Sequence, residues 1–439
     1  GGHPQAKTPN IDRLVARGTA FTNTHCAAPA CNPSRAALMS GLRPWQTGIY
    51  TNGDPAAGVL KNTLTLNRHF LANGYNTQGG GKIYHNINAE GREDTWTRWE
   101  GLFPSINDHD ANRNGLGRGH FDWGAVDGKP QDMGDYKLTT WAIDQLQKAP
   151  ADKPLFLAVG YVKPHLPWYV PQEYFDRFPL EGIQLPVTKE GDLADIPKAG
   201  VKMAGPEGDH AAVVKGDQWK KAVQAYLATI SFLDDQVGRL LDGLDASPRK
   251  DKTIIVWWTD HGWALGEKEH WRKFALWEET TRTSCAVVAP GVTKAGSVSK
   301  AAVDYLSIYP TLCELTGLPT PEHVKGPSLL PLLKDPAASW DHVAVCSHGR
   351  GNHAVRDAQW RYIRYADGSE ELYDHAKDPY EWTNLAGDKS LAETKTRLAA
   401  ALPAPDNEVP SISGNKSNSS GKGGGKKKGK GKKNKAAAD

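Results

Sequence analysis

Short apolar runs alternate with amphipathic helical patterns along most of this chain, and this alternation limits the folds open to it. Residues 154–161 and 253–258 are predicted as buried strands, because their apolar residues follow one another without interruption. Between them, residues 223–241 repeat apolar side chains at the 3.6-residue period of a helix that packs one face on a sheet. Strands alternating with helices in this way predict an α/β fold with a doubly wound sheet and helices on both faces.

Polar clusters follow the predicted strands where they end. His165 comes after the first strand, Asp260 and His261 come after the second, and Lys82 and His85 follow a glycine-rich strand end near residue 80. In a doubly wound sheet the carboxyl ends of the strands form the ligand-binding edge. The sequence therefore predicts that these side chains share one site.

Residues 31–35 (CNPSR) lie between a predicted strand at 19–24 and a helix that starts near residue 34. Cys31 is thus expected at the amino-terminal end of that helix, where free backbone N–H groups favour an anion. Arg35 lies four residues further on, one helical turn away, where a guanidinium could hold a charged group next to Cys31.

The C-x-P-S-R pattern, with residues 8–14 (TPNIDRL) and 41–44 (GLRP), resembles the type I, formylglycine-dependent sulfatases. Together with the later polar clusters, the resemblance extends to about residue 384. It implies the alkaline-phosphatase-like fold. It also implies that a maturation enzyme oxidises Cys31 to formylglycine, whose hydrate is the nucleophile that attacks a sulfate ester.

The resemblance implies roles for the other residues. Lys82 and His85 match the family's G-K-x-x-H block, in which the lysine binds a sulfate oxygen and the histidine takes a proton from the diol. His165 resembles the histidine that contacts sulfate and the leaving group, and Lys273 resembles a second sulfate-binding lysine. Three further polar residues crowd the segment around Lys273, so a shifted assignment stays open: Lys268, His270 and Arg272.

Calcium is the metal that the resemblance implies, with Asp260, His261 and the modified Cys31 as ligands. Histidine is an unusual calcium ligand, so the alternatives for His261 are contact with the sulfate or contact with a group that is itself bound to the metal. Family members resemble one another in having a hydrophobic strand that ends in Asp-Asp before the block at residue 8. Only residues 1–7 precede that block here, without a carboxylate. We therefore expect this chain as given to lack that strand and two metal ligands, and to bind calcium weakly.

The K-P-H-x-P block at 163–167 and the Asp-His pair look most like the iduronate-2-sulfatase branch, which implies a sulfated sugar or polysaccharide as substrate. Four tryptophans could stack on sugar rings or lie in the core: Trp96, Trp99, Trp123 and Trp168. Two other functions compete. One is a phosphatase or phosphonate hydrolase, whose usual two-metal ligand set is not found in the sequence. The other is a catalytically silent binder of sulfated glycans.

Three regions are predicted from changes in pattern: a catalytic α/β domain over 1–335, a small antiparallel β subdomain over 336–410, and a tail over 411–439. The tail is rich in Gly and Lys, with nine lysines between residues 416 and 435. Its composition predicts no ordered structure. It is either a solvated appendage or a polyanion-binding segment.

The remaining sequence features concern location and partners. No apolar run reaches eighteen residues, so we expect no membrane span, and we expect no nucleic-acid partner. The family resemblance implies a periplasmic or secreted protein. Of the five cysteines, the four apart from Cys31 could form up to two disulfides or remain buried thiols.

Overall fold

The structure is a computed structural model that describes residues 2–85, 95–106, 112–150 and 152–412. The helices are Pro9–Val15 (α1), Cys31–Ser40 (α2), Pro44–Thr47 (α3), Ala56–Val59 (α4), Leu66–Ala72 (α5), Gly134–Lys148 (α6), Gln172–Phe175 (α7), Lys198–Ala204 (α8), Asp209–Lys215 (α9), Trp219–Asp245 (α10), Glu278–Thr281 (α11), Ile308–Thr316 (α12), Leu330–Lys334 (α13) and Ala392–Ala399 (α14). The strands are Thr19–His25 (β1), Asn76–Gly81 (β2), Arg98–Glu100 (β3), Trp123–Val126 (β4), Leu155–Gly160 (β5), Trp168–Pro171 (β6), Ile255–Trp258 (β7), Ala264–Leu265 (β8), Trp271–Arg272 (β9), Arg282–Val288 (β10), Ser297–Asp304 (β11), Ala344–Ser347 (β12), His353–Arg356 (β13), Trp360–Arg364 (β14) and Glu370–Asp374 (β15).

The strands that lead to the predicted site belong to two sheets. One has the order β11-β1-β10-β7, in which β1 runs parallel to β11 and antiparallel to β10. The other has the order β3-β2-β5 and is parallel throughout. The alternation of strands and helices is thus present as predicted. The strands β10 and β11, which flank β1 on both sides, were not predicted.

The strands β5 and β7 are both at the ends of their sheets. Each was predicted as a buried strand, and this is wrong, because β7 is half-buried throughout and β5 is half-buried except at Gly160. Their apolar runs have one edge without a strand partner among the described residues. We call the space between these two free edges the sheet opening.

The long helix α10 covers both sides of the sheet opening. Its Leu240 shares an apolar cluster with Leu157 and Val159 of β5. Its Leu233 shares another with Ile255 and Trp257 of β7. This is the face that the 3.6-residue pattern predicted, and the helix extends a few residues beyond the predicted bounds at each end.

The tryptophans considered as sugar platforms lie in the protein interior. Trp96, Trp123 and Trp168 are at most 3% exposed, and Trp99 is half-buried against the largest apolar cluster. Trp123 and Trp168 lie on β4 and β6, which pair in parallel. These side chains are therefore core residues, and the stacking interpretation is wrong for Trp96, Trp123 and Trp168.

The last four strands form an antiparallel sheet in the order β12-β13-β14-β15, as the sequence predicted. This sheet is docked onto the body of the protein, because Ser347 N–H donates to the Ala27 carbonyl at 2.9 Å. The division at residue 335 stays a prediction. Most of the tail, from residue 413, lies outside the described residues, and no described helix is long and apolar enough to cross a membrane.

Candidate active site

Cys31 is the first residue of α2 and is fully buried. The chain reaches it from β1 through a short loop, and Ala30 in the extended conformation precedes the helix. The structure thus places Cys31 at the helix end where the sequence predicted it. A negatively charged group at this position faces the amino-terminal end of a ten-residue helix, which favours anions.

Four side chains from four different segments surround the Cys31 thiol. His261 Nε2 lies 3.3 Å from Sγ, and Lys82 Nζ lies 3.8 Å from it. His165 hydrogen-bonds the thiol, and the Lys273 ammonium is close enough to act on its ionisation. Residues that are up to 242 positions apart in the sequence therefore meet at one sulfur atom.

The charges around Cys31 favour an anion there. Burial alone would raise the pKa of the thiol, but the positive charges of Lys273, Lys82 and His261 outweigh it and hold this pKa well below its usual range. The same two lysines disfavour a proton on the neighbouring His165. Burial, Lys273 and Lys82 lower the pKa of His165 to about 3, so this imidazole is neutral around pH 7.

Asp260 and Arg35 form the base of the site. Both Nε and Nη2 of Arg35 lie 2.9 Å from Asp260 Oδ2, and Ser34 Oγ donates to the Asp260 carbonyl at 2.5 Å. Burial opposes ionisation of Asp260, but Arg35 and His261 keep the pKa of this carboxyl below its ordinary value. Arg35 also donates to the carbonyls of Lys82 and Ile83. Its guanidinium therefore holds the Asp260 carboxylate and the end of β2, and the expected contact of Arg35 with the nucleophile stays a prediction.

A close approach of two glycines positions Lys82. Gly81 ends β2 with φ of +74°, and the Lys82 N–H donates to the Gly160 carbonyl at 2.6 Å. A Cβ atom on Gly160 would lie 2.4 Å from the Lys82 carbonyl carbon, which no side chain tolerates. The ends of β2 and β5 can therefore touch, and Lys82 turns from this junction toward Cys31.

His165 lies in a turn that Asp135 holds in place. The two oxygens of the Asp135 carboxylate accept the N–H groups of Val162 and Lys163, both at 2.9 Å. Lys163 Nζ donates to the Pro167 carbonyl at 2.6 Å, and His165 Nδ1 lies 2.6 Å from the Leu166 carbonyl oxygen. With Nδ1 engaged in this way, Nε2 is the nitrogen that His165 can direct at the site.

The segment that carries Lys273 has an unusual backbone. Four of its non-glycine residues have positive φ: Lys268 (+53°), Glu269 (+50°), Arg272 (+75°) and Phe274 (+83°). Ordinary L-residues adopt this region only when the surrounding contacts enforce it. Lys273 itself lies between two of them, with Nζ 4.9 Å from the centre of the Trp263 ring.

The crowded segment 268–273 resolves into separate roles. Lys268 pairs with Asp192 at 2.8 Å, and Arg272 pairs with Asp209. His270 lies within 2.9 Å of the carbonyl oxygens of Ala204 and Lys273. These three side chains anchor the segment, and Lys273 is the one whose charge acts on Cys31.

For His85, as for Arg35, no contact with Cys31 is found in the described part of the chain. His85 follows Lys82 by three residues, and its Nδ1 is buried without a hydrogen-bond partner among the described residues. Residues 86–94, which come next, lie outside those residues. The proton-accepting role expected for His85 stays a prediction.

The residues expected to bind the metal lie together. Ligand atoms of Cys31, Asp260 and His261 are all within 4.8 Å of one another. Calcium prefers six to eight oxygen ligands, and this group supplies one carboxylate, already engaged by Arg35. These three residues alone therefore fall short of the oxygen ligands that calcium prefers, and the expectation that two further ligands are missing stays a prediction.

Three residues near the site were not recognised from the sequence: Ser34, Asp135 and Trp263. Ser34 lies inside the C-x-P-S-R motif, and Trp263 follows the Asp-His pair by two residues, so proximity to a motif was a usable signal. Asp135 offered none. It acts on a turn 27 residues further along the chain, through contacts that only the fold creates.

Comparison with known proteins gives consistent matches over most of the chain. The sulfatase family model matches residues 1–318, and that of the C-terminal region of N-sulphoglucosamine sulphohydrolase matches residues 266–407. A sulfatase of Formosa agariphila is 40% identical over 419 residues, which cover 90% of this chain and 82% of that protein. Iduronate 2-sulfatase of Homo sapiens is 29% identical over 417 residues, which cover 85% of this chain and 72% of that protein.

A solved structure supports the fold. Phosphonate monoester hydrolase from Silicibacter pomeroyi matches with a TM-score of 0.75 at 20% identity, covering 90% of this chain and 89% of that one. The predicted alkaline-phosphatase-like α/β fold with a small antiparallel C-terminal sheet is thereby confirmed. At this level of identity the likeness concerns architecture alone.

Proposed function

The chain belongs to the sulfatase family and is a sulfatase, and from this premise we propose that it removes sulfate from a sulfated sugar by means of a formylglycine at position 31. The observation that carries the proposal is the convergence of Lys82, Lys273, His165 and His261 on Cys31 at a helix amino terminus. In the structure the Cys31 thiol stands where the hydrated aldehyde of formylglycine would be.

In the proposed reaction, one hydroxyl of the hydrated aldehyde releases its proton to water, since the surrounding cations favour an anion there, and the resulting alkoxide attacks sulfur while the bond between sulfur and the ester oxygen breaks. The non-bridging sulfate oxygens gain negative charge in this step. Lys82 and Lys273 are placed to neutralise it, because both ammonium groups act on the position of the nucleophile. A single donor of this kind is commonly worth about 3 kcal/mol of transition-state stabilisation.

The leaving alcohol needs a proton, and both His165 and Lys273 were candidates from the sequence. We assign this role to Lys273. His165 has a pKa of about 3 and carries no proton to give on the nitrogen that faces the site around pH 7. Lys273 is a cation whose pKa burial lowers from its ordinary value, which makes its proton easier to transfer. His165 then accepts a hydrogen bond and orients the nucleophile.

Release of sulfate completes the cycle. The second hydroxyl of the sulfated diol loses its proton to His85, the bond between carbon and the sulfate oxygen breaks, and the aldehyde re-forms. A serine or cysteine nucleophile could not leave in this way, because it has no second hydroxyl to deprotonate. The need for this second hydroxyl is the chemical reason for a modified residue at position 31.

We propose calcium as the metal, with Asp260, His261 and the modified Cys31 contributing ligands. Calcium needs further oxygen donors besides these three residues, so no reaction step is assigned to the ion. The proposal also includes a maturation enzyme that converts Cys31, and a periplasmic or secreted location.

The substrate class rests on the match to iduronate 2-sulfatase and on the K-P-H-x-P block. We propose a sulfated, acidic sugar unit, because the cations around Cys31 would attract it. The interior tryptophans are buried and are not available for stacking on its ring. A phosphonate hydrolase shares this architecture. It is the second hydrolase to test, because the same lysines would also neutralise a phosphoryl group.

The proposal is tested by expressing Cys31→Ala and the wild-type sequence in a host that has the maturation system, and comparing the two proteins. We expect an aldehyde in the peptide containing residue 31, turnover of an aryl sulfate, and loss of that turnover by at least 10³-fold in the variant. Cys313→Ala, at a buried cysteine of α12, is the matched control and should retain turnover.

Two outcomes would contradict the proposed formylglycine-dependent sulfatase activity. Substantial aryl sulfate turnover by Cys31→Ala would exclude the formylglycine mechanism. An unmodified thiol with no turnover of either an aryl sulfate or a phosphonate monoester would favour the silent glycan binder.

A further inference from the structure

Two cysteines far apart in the sequence lie side by side in the interior. The Sγ atoms of Cys26 and Cys346 are 3.9 Å apart, although 320 positions separate the residues. Their exposed fractions are 0% and 2%. Neither residue takes part in the proposed reaction. Cys31, which follows Cys26 by five residues, contacts His261 instead.

The backbone on both sides of this pair is already held in place. Cys26 N–H donates to the Thr281 carbonyl at 2.9 Å, and Ser347 N–H donates to the Ala27 carbonyl, also at 2.9 Å. Cys346 lies on β12, inside the C-terminal sheet. A bonded pair of sulfurs is separated by about 2.05 Å, so bond formation brings together two sulfur atoms that already lie 3.9 Å apart, between backbone segments that these hydrogen bonds hold.

We propose that Cys26 and Cys346 form a disulfide bond in an oxidising compartment. The two thiols lose two protons and two electrons, an S–S bond forms between them, and the disulfide of a thiol–disulfide oxidoreductase or of oxidised glutathione is reduced to two thiols. The bond joins the loop that carries Cys31 to the C-terminal sheet. Its effect is therefore on the attachment of that sheet, and not on the chemistry at residue 31.

Burial determines when the bond forms. Inside the folded protein, burial and the neighbouring Cys346 raise the pKa of the Cys26 thiol, so few molecules carry the reactive thiolate. We expect oxidation to occur while the C-terminal sheet is docking, and the finished bond to resist reductants unless the protein is partly unfolded.

Peptide mapping of the full chain tests the proposal directly. The protein is exported to a bacterial periplasm, alkylated without reduction in denaturant, and digested with trypsin. We expect a linked product of the peptides 18–35 and 335–350, which disappears after reduction. The first peptide contains both Cys26 and Cys31, so fragmentation between residues 27 and 30 has to assign the linked sulfur.

Stability provides a second readout. We expect reduction in mild denaturant, followed by alkylation, to lower the melting temperature by about 5 °C, since the bond closes a very long loop. Cys26→Ser and Cys346→Ser should each show this loss without further effect of reductant. Cys285→Ser is the control, because that buried cysteine lies on β10 outside the pair, and it should keep the response to reductant.

The proposal is overturned if Cys26 and Cys346 are both fully alkylated in the exported protein and after refolding with oxidised glutathione. A Cys31–Cys346 link would overturn it as well. Because neither readout measures turnover, failure of the disulfide leaves the proposed sulfatase reaction untouched.

Discussion

At the scale of single residues, the site holds buried positive charge around one nucleophile. Lys273 is 4% exposed, and burial lowers the pKa of its ammonium. A buried ammonium lowers the stability of the folded state unless a neighbouring charge compensates for it. The lysine therefore serves the reaction at some expense of stability, and a variant can separate the two effects.

Lys273→Met should reduce kcat/KM for an aryl sulfate by about 10²–10³-fold, because one donor to the sulfate oxygens is lost. Its melting temperature should remain the same or rise. Lys268→Met is the matched control. It leaves the buried Asp192 carboxylate without its partner and should lower the free energy of unfolding by about 3 kcal/mol. If Lys268→Met loses as much activity as Lys273→Met at a temperature at which both variants are folded, Lys273 has no special role.

A second prediction at this scale concerns acid. Burial and the nearby His270 lower the pKa of His348 to about 4, compared with about 6.5 for an unfolded chain. Between these values the unfolded chain binds a proton that the folded chain does not. The free energy of unfolding therefore falls as the pH decreases from about 6.5 to 4.

His348→Gln should flatten this decrease, measured by denaturant unfolding at pH 7 and pH 4.5. It should not abolish it, because His165, with a pKa of about 3, contributes in the same direction. The exposed His342 provides the control variant, His342→Gln. A decrease of the same size in His348→Gln would contradict the assignment to His348.

At the scale of elements, local patterns predicted the strands and helices that carry the site. The amphipathic repeat located α10, and the C-x-P-S-R motif placed Cys31 at a helix start. The strands β10 and β11 were missed because their apolar residues are interrupted by polar ones, and their pairing with β1 depends on residues more than 250 positions away. The pairing of Arg35 with Asp260 was missed for a related reason, since Asp260 becomes its neighbour only in the fold.

A buried ionic cluster links the C-terminal sheet to the Lys273 segment. Arg361 of β14 pairs with both Glu278 and Glu381, and its Nη1 donates to the Leu276 carbonyl at 3.1 Å. Its side chain is 1% exposed. This arginine therefore compensates two buried carboxylates and supports the chain just beyond Lys273.

Arg361→Met should lower the free energy of unfolding by about 3–5 kcal/mol, because breaking a buried ion pair leaves uncompensated charge. Turnover per folded molecule should also fall. Arg397→Met removes the pair between the exposed Arg397 and the half-buried Asp357, and should change stability by less than about 1 kcal/mol because solvent screens the arginine. Denaturant unfolding of both variants distinguishes the two sites, and similar small effects would show that the cluster adds little.

At the scale of the whole molecule, the sheet opening lies next to the group formed by Cys31, Asp260 and His261. The strands β5 and β7 lead to His165 and Asp260, so the carboxyl end of the opening faces the site. A further strand that paired in parallel with the free edge of β7 would end beside Asp260, because Asp260 follows β7 by two residues. Acidic residues at its carboxyl end would supply the oxygen ligands that calcium needs.

We predict that residues 1–439 alone bind calcium weakly and turn over slowly. A preceding segment made of an apolar strand and Asp-Asp should increase both calcium affinity and turnover, and the same segment ending in Asn-Asn is the matched control. Calorimetric titration with calcium measures the first effect. Micromolar affinity and full activity of residues 1–439 alone would show that the metal site lies elsewhere.

The left-handed backbone around Lys273 determines how the enzyme should fail on heating. Four residues at positive φ within seven positions each destabilise the segment by about 1–3 kcal/mol, and buried anchors such as the Lys268–Asp192 pair hold them there. When thermal motion releases one anchor, the remaining strain favours release of the others. The segment then opens as one unit while the sheets stay intact. Catalysis should therefore disappear several degrees below the temperature at which the fold melts, and a protease should first cut the warmed protein here.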